Sequence, residues 1–137
     1  MFRISIVVAL LLLTQTIIAS ASMECAGAGP AILSVTVTGV DHDGGLNRYH
    51  IRGTVENVGS ASEASNTLQS VDIFKGSEKL DAKSVPPLKP GQSYAFSYVS
   101  ARSADAGKGT TTLTFQLHVR PSLRNCNAHN QRYTVTF

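Results

Sequence analysis

Residues 85–98 read VPPLKPGQSYAFSY, and how this stretch is read decides the fold. A proline pair and a proline-glycine turn interrupt regular backbone pairing, and just after them Tyr94, Phe96 and Tyr98 stand at every second position. Alternation by two is the period of a β-strand, whereas a helix repeats at 3.6. If the three rings faced solvent, the inward positions would be Ala95, Ser97 and Val99, too small and polar to fill a core. The rings are therefore expected inside, where apolar area removed from water contributes roughly 25 cal/mol per Å2, with the tyrosine hydroxyls at the sheet margin or bonded to backbone.

The same period runs through the rest of the chain, and no window of helical length carries an i, i+3, i+4, i+7 stripe. ILSVTVTGV (32–40) alternates valine with threonine, and Asp43-Gly44-Gly45 follows as a turn. RYHIRGTVE (48–56) places Tyr49, Ile51, Gly53 and Val55 on one face and His50, Arg52, Thr54 and Glu56 on the other. At 57–60 a turn is expected, in which Gly59 can take a positive φ at little cost, before a small polar stretch to Asn66. LQSVDIF (68–74), a Lys75-Gly76 turn and a short polar strand at 80–85 lead to the opening stretch, with its strand at 94–99. A loop at 100–109 then precedes the most regular strand, 110–119, in which Leu113, Phe115, Leu117 and Val119 share a face, and RYTVTF (132–137) closes the chain. About seven strands with one apolar face each predict an all-β, immunoglobulin-like antiparallel sandwich; a small barrel is the competing architecture.

The ends of the chain speak to compartment. Residues 1–21 combine one cation at Arg3, an apolar run and Ala19-Ser20-Ala21, the form of a signal peptide with an A-x-A cleavage site. A membrane anchor is the alternative, but Thr14, Gln15 and Thr16 interrupt the run well short of the ~20 apolar residues a span needs. Glu24 directly before Cys25 argues against lipid attachment there. Removing 21 of the 137 residues leaves 116, enough for one domain and a modest core. The net charge of +3 falls to +2 without Arg3, too small a surplus to imply nucleic acid. The expectation is a secreted or periplasmic protein with no transmembrane segment after processing. Export would carry Cys25 and Cys126 into an oxidising compartment, where a disulfide closing about 100 residues is worth ~4.7 kcal/mol in the chain-entropy account.

Taken together, IRGTVENVGSA (51–61), VDIFKGSEKL (71–80) and VPPLKPGQSYAFSY resemble the CARDB family, the cell-adhesion-related domains found in bacteria. Asn57-Val58-Gly59, Lys75-Gly76 and Leu88-Lys89-Pro90-Gly91 match the family's turn positions, and the resemblance covers roughly residues 32–137. These are turn and core motifs. The resemblance implies an immunoglobulin-like sandwich with an extracellular binding or structural role and offers no catalytic residues to carry over. Such domains commonly sit in longer surface proteins, and Cys25 and Cys126 lie outside the family pattern, so the disulfide rests on the compartment argument alone.

Sites of chemistry are sparse. Asp41-His42-Asp43-Gly44-Gly45 could offer oxygen ligands to calcium, but it lacks EF-hand spacing and reads more simply as a polar hairpin turn. His42, His50, His118 and His129 alternate outward or sit in loops, and no Gly-x-Ser-x-Gly marks a nucleophile. No cofactor is implied. The loop RPSLRNCNAHNQR (120–132) gathers Arg120, Arg124, His129 and Arg132 around the proposed bridge, a candidate surface for a protein or an anionic envelope polymer. The bland reading of that loop is a solvated connection. The sequence thus points to an exported, non-catalytic binding or adhesion-type module. The alternatives are a small secreted enzyme or metal carrier, and a structural subunit of an envelope assembly.

Overall fold

The computed structural model describes residues 27–105, 109–120 and 131–137. They form seven strands: β1 (Pro30–Asp43), β2 (Leu46–Asn57), β3 (Leu68–Lys75), β4 (Glu78–Val85), β5 (Ser93–Ser103), β6 (Thr112–Arg120) and β7 (Arg132–Thr136). All pairings are antiparallel, in a three-stranded sheet of order β1-β2-β5 and a four-stranded sheet of order β4-β3-β6-β7. The chain is an immunoglobulin-like β-sandwich, as its alternation predicts. β4 stays beside β3 instead of joining β5, which makes the sheets three and four strands wide.

Each sheet contributes one apolar face to a shared core. Ile32, Val35, Ile51, Val55 and Phe96 come from the first; Val71, Ile73, Val85, Leu113, Phe115 and Leu117 come from the second. Leu88, from the connection between β4 and β5, plugs one end of the layer and is fully buried. Phe96 meets Phe115 across the sheets with ring centroids 5.9 Å apart and planes tilted by 35°. Room for the Phe96 ring comes from its register partner Gly53, where an added Cβ would lie only 2.1 Å from the ring's Cζ. That glycine is set by a close approach and not by backbone conformation.

Three expectations change. Of the three rings on β5, Phe96 is core at 4% exposed and Tyr98 is half-buried under Lys83, whose Nζ lies 5.9 Å from the ring centroid, but Tyr94 is 37% exposed. Alternation fixes the face a side chain takes; Tyr94 takes the inward face at the first turn of β5, where the opposite sheet no longer covers it. Gly59 does not adopt a positive φ. It is buried because an added Cβ would strike the carbonyl oxygen of Gly27, so the residue serves the passage of the N-terminal segment. The loop expected from residue 100 begins later, because β5 continues to Ser103, paired with Leu46.

At the opposite end, Arg102 ties the sheets together. Its guanidinium donates to the Tyr49 hydroxyl at 2.8 Å and lies 5.3 Å from the ring centroid. Tyr49 in turn packs on Phe137 with centroids 4.4 Å apart.

Candidate functional site

Register builds a polar surface on the outward face of the four-stranded sheet. Ser84, Ser70 and His118 form one row across β4, β3 and β6, and Ala82, Asp72, Gln116 and Arg132 form the next, reaching β7. Arg120 lies opposite Leu68 at the end of the β3–β6 ladder. Where these rows meet the Pro86-Pro87 edge, an open groove of about 820 Å3 runs past Tyr94, Leu68, Val85 and the two prolines on its apolar side and past Asp72, Lys79, His118 and Arg120 on its polar side. Leu68, 70% exposed, is the most solvent-exposed large apolar side chain among the described residues. An apolar rim beside fixed charges is what a peptide or a decorated polymer needs for contact area and orientation.

The charges are held in place. Asp72 is only 9% exposed although it sits on an outward face, because Lys79 and Ser70 close over it. It accepts from Lys79 Nζ and Ser70 Oγ, each at 2.8 Å. Burial of the Asp72 carboxyl favours its neutral form, but these two hydrogen bonds and the Lys79 charge outweigh that, and its pKa lies below the ordinary aspartate value. Arg120 Nε donates to His118 Nε2 at 2.9 Å, so the imidazole accepts there and the two terminal guanidinium nitrogens are not used in that bond. The groove offers one cationic fork, one ammonium shared with a carboxylate, and serine hydroxyls.

Behind the groove, two buried polar groups close on the peptide of Leu88. Asn57, with no exposed surface, makes four side-chain hydrogen bonds: Nδ2 donates to Ala61 O at 2.8 Å and Leu88 O at 2.9 Å, and Oδ1 accepts from Gly29 N at 2.9 Å and Gly59 N at 3.0 Å. Glu63 accepts on Oε2 from Leu88 N at 2.8 Å and from Gln69 Nε2 at 2.6 Å, and its own amide donates to Leu88 O at 3.0 Å. Neither role shows in the local sequence. Asn57 reads as a turn residue and Glu63 as one more polar residue of the stretch before Asn66.

The acidic hairpin is explained by its own partners. Gly44 and Gly45 form a two-residue loop with φ of 55° and 80°, the pair of positive angles a type I′ turn requires. Asp41 Oδ2 lies 2.6 Å from His50 Nε2, Asp43 lies 3.8 Å from Arg48, and His42 bonds Asn47 at 2.6 Å. These side chains pair across the strands instead of converging. Among the described residues no group of three or more His, Cys, Asp or Glu side chains is placed to hold a metal ion.

Of the basic residues gathered by the sequence, the structure places Arg120 and Arg132 on the same outward face, about 14 Å apart by strand rise and spacing. Only Arg120 lines the groove, and it does so with partners from β3 and β4 that sequence reasoning did not bring to it. Arg124, His129, and the Cys25 and Cys126 of the expected disulfide lie outside the described residues, as does the segment 1–21. No described helix is long and apolar enough to cross a membrane. Comparison with known proteins adds no relative: no family model matches the chain, and no curated protein or solved structure matches it.

Proposed function

We propose that the chain is an exported, non-catalytic binding module of the CARDB kind, which meets an anionic protein or cell-envelope partner through the groove at the Pro86-Pro87 edge. The observation that carries this reading is the groove itself, in which Arg120, held by His118, stands opposite the exposed apolar surfaces of Leu68 and Tyr94. A guanidinium fork recognises a carboxylate or phosphate in two-point contact, and flanking apolar surface adds contact area. Arg132, one strand further on, extends the cationic surface beyond the groove. The turn motifs behind the CARDB resemblance support the same reading, since they hold the framework without supplying chemistry. The export signal and the proposed bridge between Cys25 and Cys126 suit a secreted or periplasmic setting.

Affinity capture from envelope extracts tests this, comparing the wild-type chain with an Arg120→Glu, Arg132→Glu double variant. The reading expects a partner retained by the wild type, weakened by added salt and lost from the variant. Equal retention by both proteins rejects the groove as the binding surface. Turnover of a substrate by the wild type alone would move the protein to the enzyme class.

A further inference from the structure

Glu63 and Gln69 are 6% and 7% exposed, and together they pose a hydrogen-bond accounting problem. Gln69 Nε2 has two hydrogens, and both are spent: one goes to Glu63 Oε2 at 2.6 Å and the other to Pro86 O at 2.8 Å. The Leu88 amide gives its hydrogen to the same Glu63 Oε2 at 2.8 Å. Among the described residues, two buried atoms are left without a partner, Glu63 Oε1 and Gln69 Oε1. Both are acceptors when the carboxyl is ionised, one on each member of a pair already joined through its other side. Buried acceptors without a donor are costly, and a buried unpaired carboxylate more so.

One hydrogen would satisfy both oxygens, and the Gln69 Nε2–Glu63 Oε2 bond already joins the two groups that carry them. We infer that Glu63 carries a proton on Oε1 in the folded chain, at pH values where an ordinary glutamate is ionised, and donates it to Gln69 Oε1. The pair then becomes a cyclic acid–amide dimer in which Gln69 N–H donates to Oε2 and Glu63 O–H donates back. Every polar atom of both side chains is satisfied. Burial of the carboxyl acts in the same direction, raising the Glu63 pKa against the opposing hydrogen bonds from Leu88 and Gln69.

No cation among the described residues offsets this. Among the described residues Glu63 has no ion pair. Around it, Lys89 on the β4–β5 connection is exposed, Asp72 on β3 is bound by Lys79 and Ser70, and Glu56 on β2 accepts from Ser93. On β6, Arg120 and His118 engage each other on the outward face, and Tyr94 of β5 lies exposed along the groove. The proton thus couples the segment bearing Glu63, β3 through Gln69, and the connection through Pro86 and Leu88. Ionisation would put an uncompensated charge behind the groove wall that Gln69 and Pro86 form. The inference holds whether or not the groove binds a partner.

The test is a carboxyl-carbon NMR titration of the full chain labelled at glutamate, with Glu63→Gln to assign the resonance. In that variant an amide hydrogen stands where the proton stood, so the fold and the Leu88 contact persist. The expected result is that the resonance lost in Glu63→Gln titrates distinctly above the ordinary glutamate range. A Glu63 carboxyl that ionises in the ordinary glutamate range overturns the inference, whatever solvent molecule or ion then serves its free oxygen.

Discussion

Asn57 and Glu63 approach the Leu88 peptide from the end of β2 and from the connection to β3, and both are almost wholly withdrawn from water. Yet Asn57 leaves nothing unmatched, with two donors given and two bonds accepted, while Glu63 and its partner Gln69 leave one oxygen each. A neutral amide can be satisfied permanently by backbone, because peptide groups supply donors and acceptors alike. A carboxylate can only accept, and where the neighbouring donors are spent on one oxygen, as at Glu63, satisfying the other depends on a proton. The first group is a fixed staple; the second is a joint whose strength follows pH.

The largest effect that can break this contrast is removal of the staple. Asn57→Ala leaves Gly29 N, Gly59 N and Ala61 O without their side-chain partner and Leu88 O with the Glu63 amide alone, and a loss of about 3 kcal/mol is expected in urea unfolding. A loss within measurement error would mean that water replaces the side chain freely and that the end of the sandwich is open. Next is Gln69→Leu, which removes the amide but keeps the apolar volume. It leaves Pro86 O unmet and Glu63 with one donor, for a loss of about 2 kcal/mol that changes with pH. A loss independent of pH would detach Gln69 from the proton.

The smallest effect serves as the control of opposite sign. Asp72 has a lowered pKa, so its contribution is present above the unfolded aspartate value and disappears as pH falls through the folded one. Glu63, with a raised pKa, contributes fully below the unfolded glutamate value and loses that contribution as pH rises through the folded one. Asp72→Asn should cost under about 1 kcal/mol at neutral pH, since Lys79 remains half in solvent, and the difference from wild type should vanish in acid. Persistence of that difference in acid would show that packing and not charge holds Asp72.

These polar sites were the least legible part of the chain. The regular alternation of Leu113, Phe115, Leu117 and Val119 gave away a buried strand, because two-residue periodicity and burial are the same fact seen from sequence and from structure. Tyr94 obeyed the period and still reached solvent, since periodicity carries no information on where along a strand the facing sheet stops. Gly59 and Asn57 looked like a local turn; their contacts with Gly27, Gly29 and Leu88 come from distant segments and follow from topology alone. The groove was half visible. Arg120 stood out by its charge, whereas Asp72, Lys79 and His118 joined it only through the register of β3, β4 and β6. No spacing rule links Glu63 to Gln69 and Leu88.

The measurement that bears most directly on the central contrast is the unfolding free energy of wild type and Glu63→Gln followed across pH. The account predicts that the wild type loses stability relative to the variant as pH rises through the folded Glu63 pKa, with the two alike in acid. Parallel curves, or a variant that is the less stable of the two at every pH, would contradict it.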